Sequence, residues 1–335
     1  MFFRLLASLV LGIATASSLA TEAAWSVEKM EDDVAFVLQN DEVTDLSGIV
    51  WTGGDRFYAV SNHLNALIPI TLKLDHESGK ILTGEIGQSL PFATEASDLE
   101  GITYVRSTKT FYLSAETGNT VIRYKIGEAR AVKLAVPPVF SRARKNLSLE
   151  SITWNDQSAQ FWIANEETLN NDGPLASPTG GSYVRLQQFD AKFRPVAQYG
   201  WITEPANFRF HGVGNGVADL CALPDGQLLV LERGFGPLGL RMRIFLADFK
   251  KATPTSRKMV LNDPNCIFAK KILLYEKDTG LTNFEGLTLG PMLADGSYSL
   301  VAVADSNGTN THCFLALKLR STKNPKIKLP TGDQH

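Results

Sequence analysis

The stretch DLEGITYVRSTKTFYLSAETGN, residues 98–119, contains a pattern that occurs five times in this chain. An acidic or polar residue enters a short apolar run, a turn follows, and a second strand-like run ends in a polar cluster. We call the residue at the position of Glu100 the anchor. The five anchors are Ser47, Glu100, Glu150, Asp219 and Glu285, at intervals of 50 to 69 residues. A strand repeat of this length gathers equivalent residues around one axis.

Each interval has room for four short strands. In the second unit these are Gly101–Val105, Thr110–Ala115, Thr120–Ile126 and Ala131–Val136, separated by turn residues. The pattern predicts an all-β β-propeller of five four-stranded blades, and six blades stay open because the third and fourth intervals are long.

Two further segments bear on this architecture. The last unit lacks a fourth strand, and Asp33–Leu38 alternates apolar and polar residues. We therefore expect an N-terminal strand to close the ring and cover an open sheet edge. The loop Asn170–Ser182 is rich in Asn, Gly, Pro and Ser, and its length favours a lid or a rim.

The N-terminus has the form of a signal peptide. Arg4 supplies a positive charge, Leu5–Ile13 is apolar, and the small residues of Ser18–Ala20 suit a cleavage site. An uncleaved anchor is the alternative, although the apolar stretch is short for a membrane span. We expect an exported protein, periplasmic or secreted, with a signal peptide at 1–20, one propeller domain at 21–322 and a polar tail at 323–335.

The composition excludes some classes of partner. The chain has 335 residues, of which 44% are hydrophobic, and a net charge of -2 without a basic run, which argues against nucleic acid. No later apolar run reaches the length of a membrane span. We also expect a monomer. Cys221, Cys266 and Cys313 allow one disulfide in an oxidising compartment, but their spacing does not indicate zinc.

In a propeller, the first strand of each blade lines the axial channel. Carboxylates at or before these strands then face one end of it: Asp45, Asp98, Glu100, Glu150, Asp219 and Glu285. The second strands return to the same end and add His63, Glu116, Glu166, Glu167, Glu232, Arg233 and Asp305. Clustered carboxylates repel one another unless they are protonated, paired with cations or bound to a metal, and oxygen ligands suit Ca²⁺.

These positions define the candidate roles. The predicted calcium ligands are Asp98, Glu100, Glu150, Asp219, Glu285 and Asp305. The predicted substrate contacts are His63, Glu116, Glu166, Glu232 and Arg233. The predicted catalytic residues are Glu100, Glu150, His211 and Arg233. The alternative is structural: carboxylates often accept backbone N–H bonds at turns, and Arg233 can pair with a carboxylate of a neighbouring blade. The chain lacks the GxSxG motif of a serine nucleophile elbow.

Four segments together resemble the phytase-like family described as "esterase-like activity of phytase", over residues 40–320. They are Leu99–Thr103, Leu149–Thr153, Leu223–Arg233 and Asn283–Leu287. The resemblance implies an exported β-propeller that hydrolyses phosphate or carboxylate esters, with calcium as the associated cation. The motif positions of the family that this sequence matches are Glu100, Glu150, Glu232, Arg233 and Glu285, and the resemblance implies a functional role for them. The chain departs from the motif at Ser47, which replaces an acidic anchor, and at Asp219, which is shorter than glutamate.

The leading expectation is an exported hydrolase of small phosphate or carboxylate esters, with an acidic calcium site on the channel axis. The alternative is a non-catalytic envelope propeller that binds a small ligand or a protein partner, because the same fold supports both catalysis and binding. Lactonase activity is a third and weaker candidate.

Overall fold

The structure is a computed structural model that describes residues 24–28, 36–40, 42–208, 214–236, 239–255 and 260–322. The predicted signal peptide, the polar tail and His211 lie outside these residues. Within the described ranges, no helix is both long enough and apolar enough to span a bilayer.

The strands fall into five antiparallel sheets, preceded by two short N-terminal strands. The N-terminal strands are β1 (Trp25–Glu28) and β2 (Phe36–Gln39). The first blade contains β3 (Leu46–Gly53), β4 (Arg56–Ser61), β5 (Leu64–Leu74), β6 (Ile81–Ile86) and the short β7 (Leu90–Pro91). The second blade contains β8 (Leu99–Val105), β9 (Thr110–Ala115), β10 (Thr120–Tyr124) and β11 (Val132–Leu134).

The third blade contains β12 (Leu149–Asn155), β13 (Gln160–Asn165), β14 (Tyr183–Asp190) and β15 (Pro195–Ile202). The fourth contains β16 (Asn215–Ala222), β17 (Leu228–Gly236), β18 (Gly239–Asp248) and β19 (Lys270–Gly280). The fifth contains β20 (Asn283–Met292), β21 (Tyr298–Asp305) and β22 (Thr311–Ser321). Of two 3₁₀ turns, Arg106–Thr108 joins β8 to β9 and Pro138–Arg142 lies in the connection from the second to the third blade.

The first strand of each blade is the innermost one. These inner strands, β3, β8, β12, β16 and β20, each contact the inner strand of the next blade, and β20 returns to β3. The five-bladed β-propeller predicted from the repeat is therefore confirmed. The extra length that left six blades open lies in the connections from β13 to β14 and from β18 to β19.

The N-terminus completes the fifth blade, as predicted, but in two pieces. β1 pairs with one half of β22, where Trp25 faces Ser321, and β2 pairs with the other half, where Phe36 faces Phe314. The indole N–H of Trp25 also donates a 2.8 Å hydrogen bond to Asp225 in the fourth blade. β22 has eleven residues, so two four-residue strands are needed to cover its edge.

The hydrophobic core lies between the blades. The apolar clusters each join two adjacent blades, and one of them includes Trp25 beside residues of the fourth and fifth blades. The three cysteines are unpaired thiols, with Cys221 buried in the fourth blade. Burial raises the pKa of the Cys221 thiol to about 12, so it packs as a neutral apolar group.

The glycine that follows three of the anchors explains part of the repeated phrase. A Cβ at Gly48 would lie 2.4 Å from the carbonyl oxygen of Glu100, and one at Gly286 would lie 2.6 Å from that of Ser47. Gly101 is equally close to the third blade. Since only glycine allows so close an approach, these positions let neighbouring inner strands meet around the axis.

The long loop after β13 is fixed to its own blade. Asp172 forms a two-point ion pair with Arg185 at 2.5 and 2.6 Å, and both side chains are fully buried. The backbone N–H of Ala176 donates to Glu167 at 3.3 Å. Of the two predicted roles for Asn170–Ser182, these bonds favour a fixed rim over a lid that opens.

Candidate active site

A cavity of about 730 Å³ opens at one end of the channel, where the inner strands begin and the second strands end. Its ionisable lining residues are Asp98, Glu100, Glu116, Glu150, Glu166, Arg233, Glu285 and Asp305. We call this end the acidic mouth. All but the first of the blades supply these residues, and Asn62 of the first blade also lines the cavity.

The inner strands share an irregularity at the anchor. Each of them has a register shift at or next to the anchor position, as between Leu99 and Ile102 in β8 and between Phe284 and Gly286 in β20. A bulge redirects a side chain relative to regular strand alternation. Asp98, just before β8, also has a left-handed φ of 63°, a conformation that Asp tolerates better than most residues.

Three glutamates form the tightest group in the acidic mouth. Glu116, Glu150 and Glu166 each offer a carboxylate oxygen, and these oxygens lie within 4.8 Å of one another. Glu116 accepts a 2.6 Å hydrogen bond from the backbone N–H of Ser148. Glu166 is only 2% exposed; its Oε1 accepts no hydrogen bond from the described residues and instead has an ionic contact with Arg233. We call this group the glutamate triad.

Arg233 supplies the positive charge of the mouth. Its Nη2 lies 2.7 Å from Oε1 of Glu285, and its Nη1 lies 3.3 Å from Oε1 of Glu166. Arg233 therefore ties the third, fourth and fifth blades together at the axis, which is the structural alternative for this residue. Burial alone would lower its pKa, but Glu166 and Glu285 raise it above the usual value, so the guanidinium stays charged.

Two pairs of carboxyl groups are in hydrogen-bond contact. Asp98 bonds Glu100, and Asp45 bonds Asp305. Burial, followed by repulsion from Glu285 and Asp98, raises the pKa of Glu100 well above its usual value. Burial and then Glu285 raise the pKa of Asp305 to about 8. Each pair therefore binds a proton more readily than an isolated carboxylate does, because two adjacent carboxylates resist ionising together.

The glutamate triad is also protonated more readily than ordinary carboxylates. Burial is the largest cause in each case. It raises the pKa of Glu116 to about 7, that of Glu166 to about 8, and that of Glu150 well above the usual value. Seven carboxyl groups face one guanidinium across the cavity, so the mouth must take up protons or a cation to balance its charge.

Two predicted site residues lie elsewhere and are corrected. Asp219 is buried, and its oxygens accept the backbone N–H groups of Leu287 at 2.7 Å and Leu220 at 2.8 Å. It caps the contact of the fourth and fifth blades and does not line the mouth. Glu232 is fully buried and accepts hydrogen bonds from Trp201 at 2.8 Å and Lys271 at 2.7 Å. Its carboxylate is saturated by structural donors on the side away from the axis.

The remaining predicted residues take intermediate positions. His63 lies beside the mouth, with its Nε2 3.0 Å from Asp45 and a side chain that is 64% exposed. Glu167 accepts the backbone N–H of Gly214 at 2.8 Å and so fixes the entry to the fourth blade. His211 falls outside the described residues, and its predicted catalytic role stays a prediction.

One side of the mouth is apolar, which the sequence interpretation missed. Phe208, Phe235, Leu240 and Leu281 line the cavity together, and we call them the apolar wall. The rings of Phe208 and Phe235 lie 4.9 Å apart. Strand direction could have predicted two of these residues. Phe235 and Leu240 lie in the hairpin that follows Arg233, and this hairpin must lie at the same end of the channel as Arg233 itself.

The opposite end of the channel has a different character. A smaller cavity of about 360 Å³ is lined there by Trp51, Tyr104 and Trp154, which follow the anchors by four residues in three successive inner strands. The guanidinium of Arg106 lies 5.2 Å from the ring of Trp51. Asp156 is the one carboxyl residue among the described residues that line this cavity, and its Oδ1 accepts a hydrogen bond from the indole of Trp154.

Comparison with known proteins gives one informative match. A sequence model of the family described as "Phytase-like: Esterase-like activity of phytase" matches residues 41–308, most of the chain. No curated protein matches it.

Among solved structures, hydrazine synthase of Kuenenia stuttgartiensis superposes with a TM-score of 0.39 and 9% identity, covering 80% of this chain. This chain spans 57% of that protein's length. A nidogen/laminin complex gives a TM-score of 0.36 at 9% identity, covering 78% of this chain and 76% of the other. These likenesses are too weak to carry an argument.

Proposed function

The chain belongs to the phytase-like family "Esterase-like activity of phytase", and on that premise we propose that it is an exported hydrolase of phosphate or carboxylate esters. The family suggests esterase-like hydrolysis. The acidic mouth is the place in this fold where such chemistry has the groups it needs: a cavity of substrate size, clustered carboxyl groups and a fixed guanidinium.

We propose further that the glutamate triad holds a divalent cation, and Ca²⁺ fits its chemistry best. The donors are all oxygens, which hard cations prefer, and three of them, at the ends of separate strands, lie within 4.8 Å of one another. The observation that carries the proposal is the convergence of three carboxylate oxygens, one of which, Glu166 Oε1, is buried, accepts no hydrogen bond from the described residues and has an ionic contact with Arg233 at 3.3 Å. When bound, such a cation supplies Lewis-acid polarisation of an ester oxygen.

The residues around the triad have separate roles in this proposal. Asp98 and Glu100 are in hydrogen-bond contact and burial raises the pKa of both, so this pair is the candidate to accept a proton from water and return it to a leaving group. Arg233 fixes the orientation of Glu166 and Glu285 and keeps a positive charge beside the ester. Since both of its Nη atoms are already paired, we assign it an organising role, with anion binding secondary to that.

The proposal is tested by assaying the mature protein against para-nitrophenyl acetate, para-nitrophenyl phosphate and phytate, with calcium and with EDTA. We expect turnover of at least one ester, and loss of that activity in EDTA. Elemental analysis should find one calcium ion per chain. Glu150→Gln should weaken calcium binding by about tenfold or more, since it removes one charged ligand.

Glu85→Gln is the matched control, because Glu85 is exposed on the outer strand of the first blade. Equal calcium affinity in the two variants would remove the triad as the cation site. Tight calcium binding without turnover of any ester would favour the non-catalytic binding function instead.

A further inference from the structure

The acidic mouth has two chemically different sides. The carboxyl groups and Arg233 occupy one side, and the apolar wall of Phe208, Phe235, Leu240 and Leu281 occupies the other. Both sides line a single cavity, so a ligand that reaches the carboxyl groups also meets the wall.

The wall contains apolar side chains that the fold does not bury. Leu281 is 86% exposed and Phe208 is 45% exposed, although each lies at the edge of a cavity. Exposed apolar groups gathered beside polar ones are typical of a ligand contact. Their position is built into the backbone: Leu240 pairs with Gly280 in the β18–β19 ladder, and a Cβ at Gly239 would lie 2.4 Å from the Gly280 carbonyl oxygen.

The charges opposite the wall restrict which ligands fit. Seven carboxyl groups line the cavity, and Arg233 is the sole cation among the described lining residues. Its guanidinium is already paired with Glu166 and Glu285. A ligand with several phosphate groups would find only a guanidinium that is already paired and would be repelled by each carboxyl group that is ionised, whereas an uncharged ester with an apolar group would not be repelled.

We propose that the substrates are carboxylic esters with an apolar acyl group, which lies on the apolar wall while the ester bond faces the carboxyl groups. This inference rests on the proposed hydrolase function and narrows it. In the reaction, the oxygen of water bonds to the acyl carbon, the ester C–O bond breaks, and the alcohol leaves with a proton.

The experiment is a chain-length series of para-nitrophenyl acetate, butyrate and hexanoate. For the unmodified protein we expect kcat/KM to rise by about two- to fourfold per added methylene, the effect of partly burying each one. Leu281→Ser and Phe208→Ser should flatten this dependence. Leu82→Ser is the matched control, because Leu82 is 51% exposed on the outer strand β6, and it should keep the full dependence. Phytate should not be hydrolysed.

A binding measurement separates this inference from the hydrolase function. The neutral probe N-phenyl-1-naphthylamine should fluoresce on the unmodified protein and on Leu82→Ser, and several-fold less on Phe208→Ser. Probe binding with no ester turnover would support the apolar wall and overturn the hydrolase. Turnover that is independent of chain length, or hydrolysis of phytate in preference to the hexanoate ester, would overturn the apolar-acyl proposal and leave the hydrolase standing.

Discussion

Replacing Glu166 with glutamine should stabilise the calcium-free protein. Burial raises the pKa of Glu166 from 4.5 to about 8, so the folded protein holds a proton there that the unfolded chain releases. When folding raises the pKa of a group, the stability of the protein is unaffected below the pKa of that group in the unfolded chain. Stability is then lost as the pH rises towards the pKa in the folded protein. The cost of Glu166 therefore grows between pH 4.5 and about 8 and is constant above that range.

The size of the effect follows from the pH interval. At pH 7 the carboxyl group is about 2.5 pH units above its unfolded pKa, and each unit corresponds to about 1.4 kcal/mol, so the cost is on the order of 3 kcal/mol. Glutamine has the same shape and no charge, and Arg233 keeps its 2.7 Å contact with Glu285. We expect Glu166→Gln in EDTA to melt several degrees higher at pH 7–8 and to match the unmodified protein near pH 4.5.

Thermal denaturation in EDTA and in calcium, across pH 4.5 to 9, provides the measurement. Calcium should raise the melting temperature of the unmodified protein and leave that of Glu166→Gln almost unchanged, because ligand binding stabilises only a state that binds. Glu85→Gln, on the exposed outer strand, should follow the unmodified protein in both media. A Glu166→Gln variant that melts lower than the unmodified protein at pH 8 in EDTA would refute the reasoning, since it would make the carboxylate a net stabiliser.

Two further predictions concern the ring itself. Gly101→Ala should cost about 1–3 kcal/mol in the free energy of unfolding, because its Cβ would lie within 2.8 Å of the neighbouring blade's backbone. Gly180→Ala, with open space around its Cβ, should be close to neutral, and equal losses in the two variants would contradict the close-approach argument. Trp25→Phe should cost about 1–2 kcal/mol by removing the bond to Asp225, which joins the N-terminus to the fourth blade. Trp154→Phe loses only a bond within its own blade and should cost less in the same urea titration.

The repeat predicted the architecture well because the repeated residues are the ones that make the contacts between blades. The anchor, the glycine after it and the turn after the second strand recur because each blade must meet the next in the same way. The N-terminal closure was also accessible, since β22 without a partner would leave an open edge. β1 was harder to foresee, because Trp25–Glu28 is too short to show a period.

The topology of the repeat predicted which residues gather at the site, but it did not predict the direction of each side chain. Strand direction alone brings Glu116, Glu150 and Glu166 to one end of the channel. The error at Glu232 has a simple cause: neighbouring residues of a strand point to opposite faces, so Glu232 and Arg233 do not both reach the axis. Phe208 and Leu281 were missed because they lie in connections, where apolar residues carry no period, and Phe235 and Leu240 were missed because they lie at the tip of the β17–β18 hairpin.

The carboxylates of Asp219 and Glu232, which have structural roles, can be compared with those of the acidic mouth. Asp219 and Glu232 have every oxygen bonded to an N–H donor, as buried acceptors require. Glu166 is as deeply buried, yet its Oε1 accepts no hydrogen bond from the described residues and has only an ionic contact with Arg233 at 3.3 Å to set against the neighbouring carboxyl groups of Glu116 and Glu150. If the triad served only to hold the blades together, it would be donor-saturated like the other two. A bound cation would give Oε1 of Glu166 a ligand and would balance the charge of the triad when its carboxyl groups ionise, which is why we expect a ligand at this place and at neither of the others.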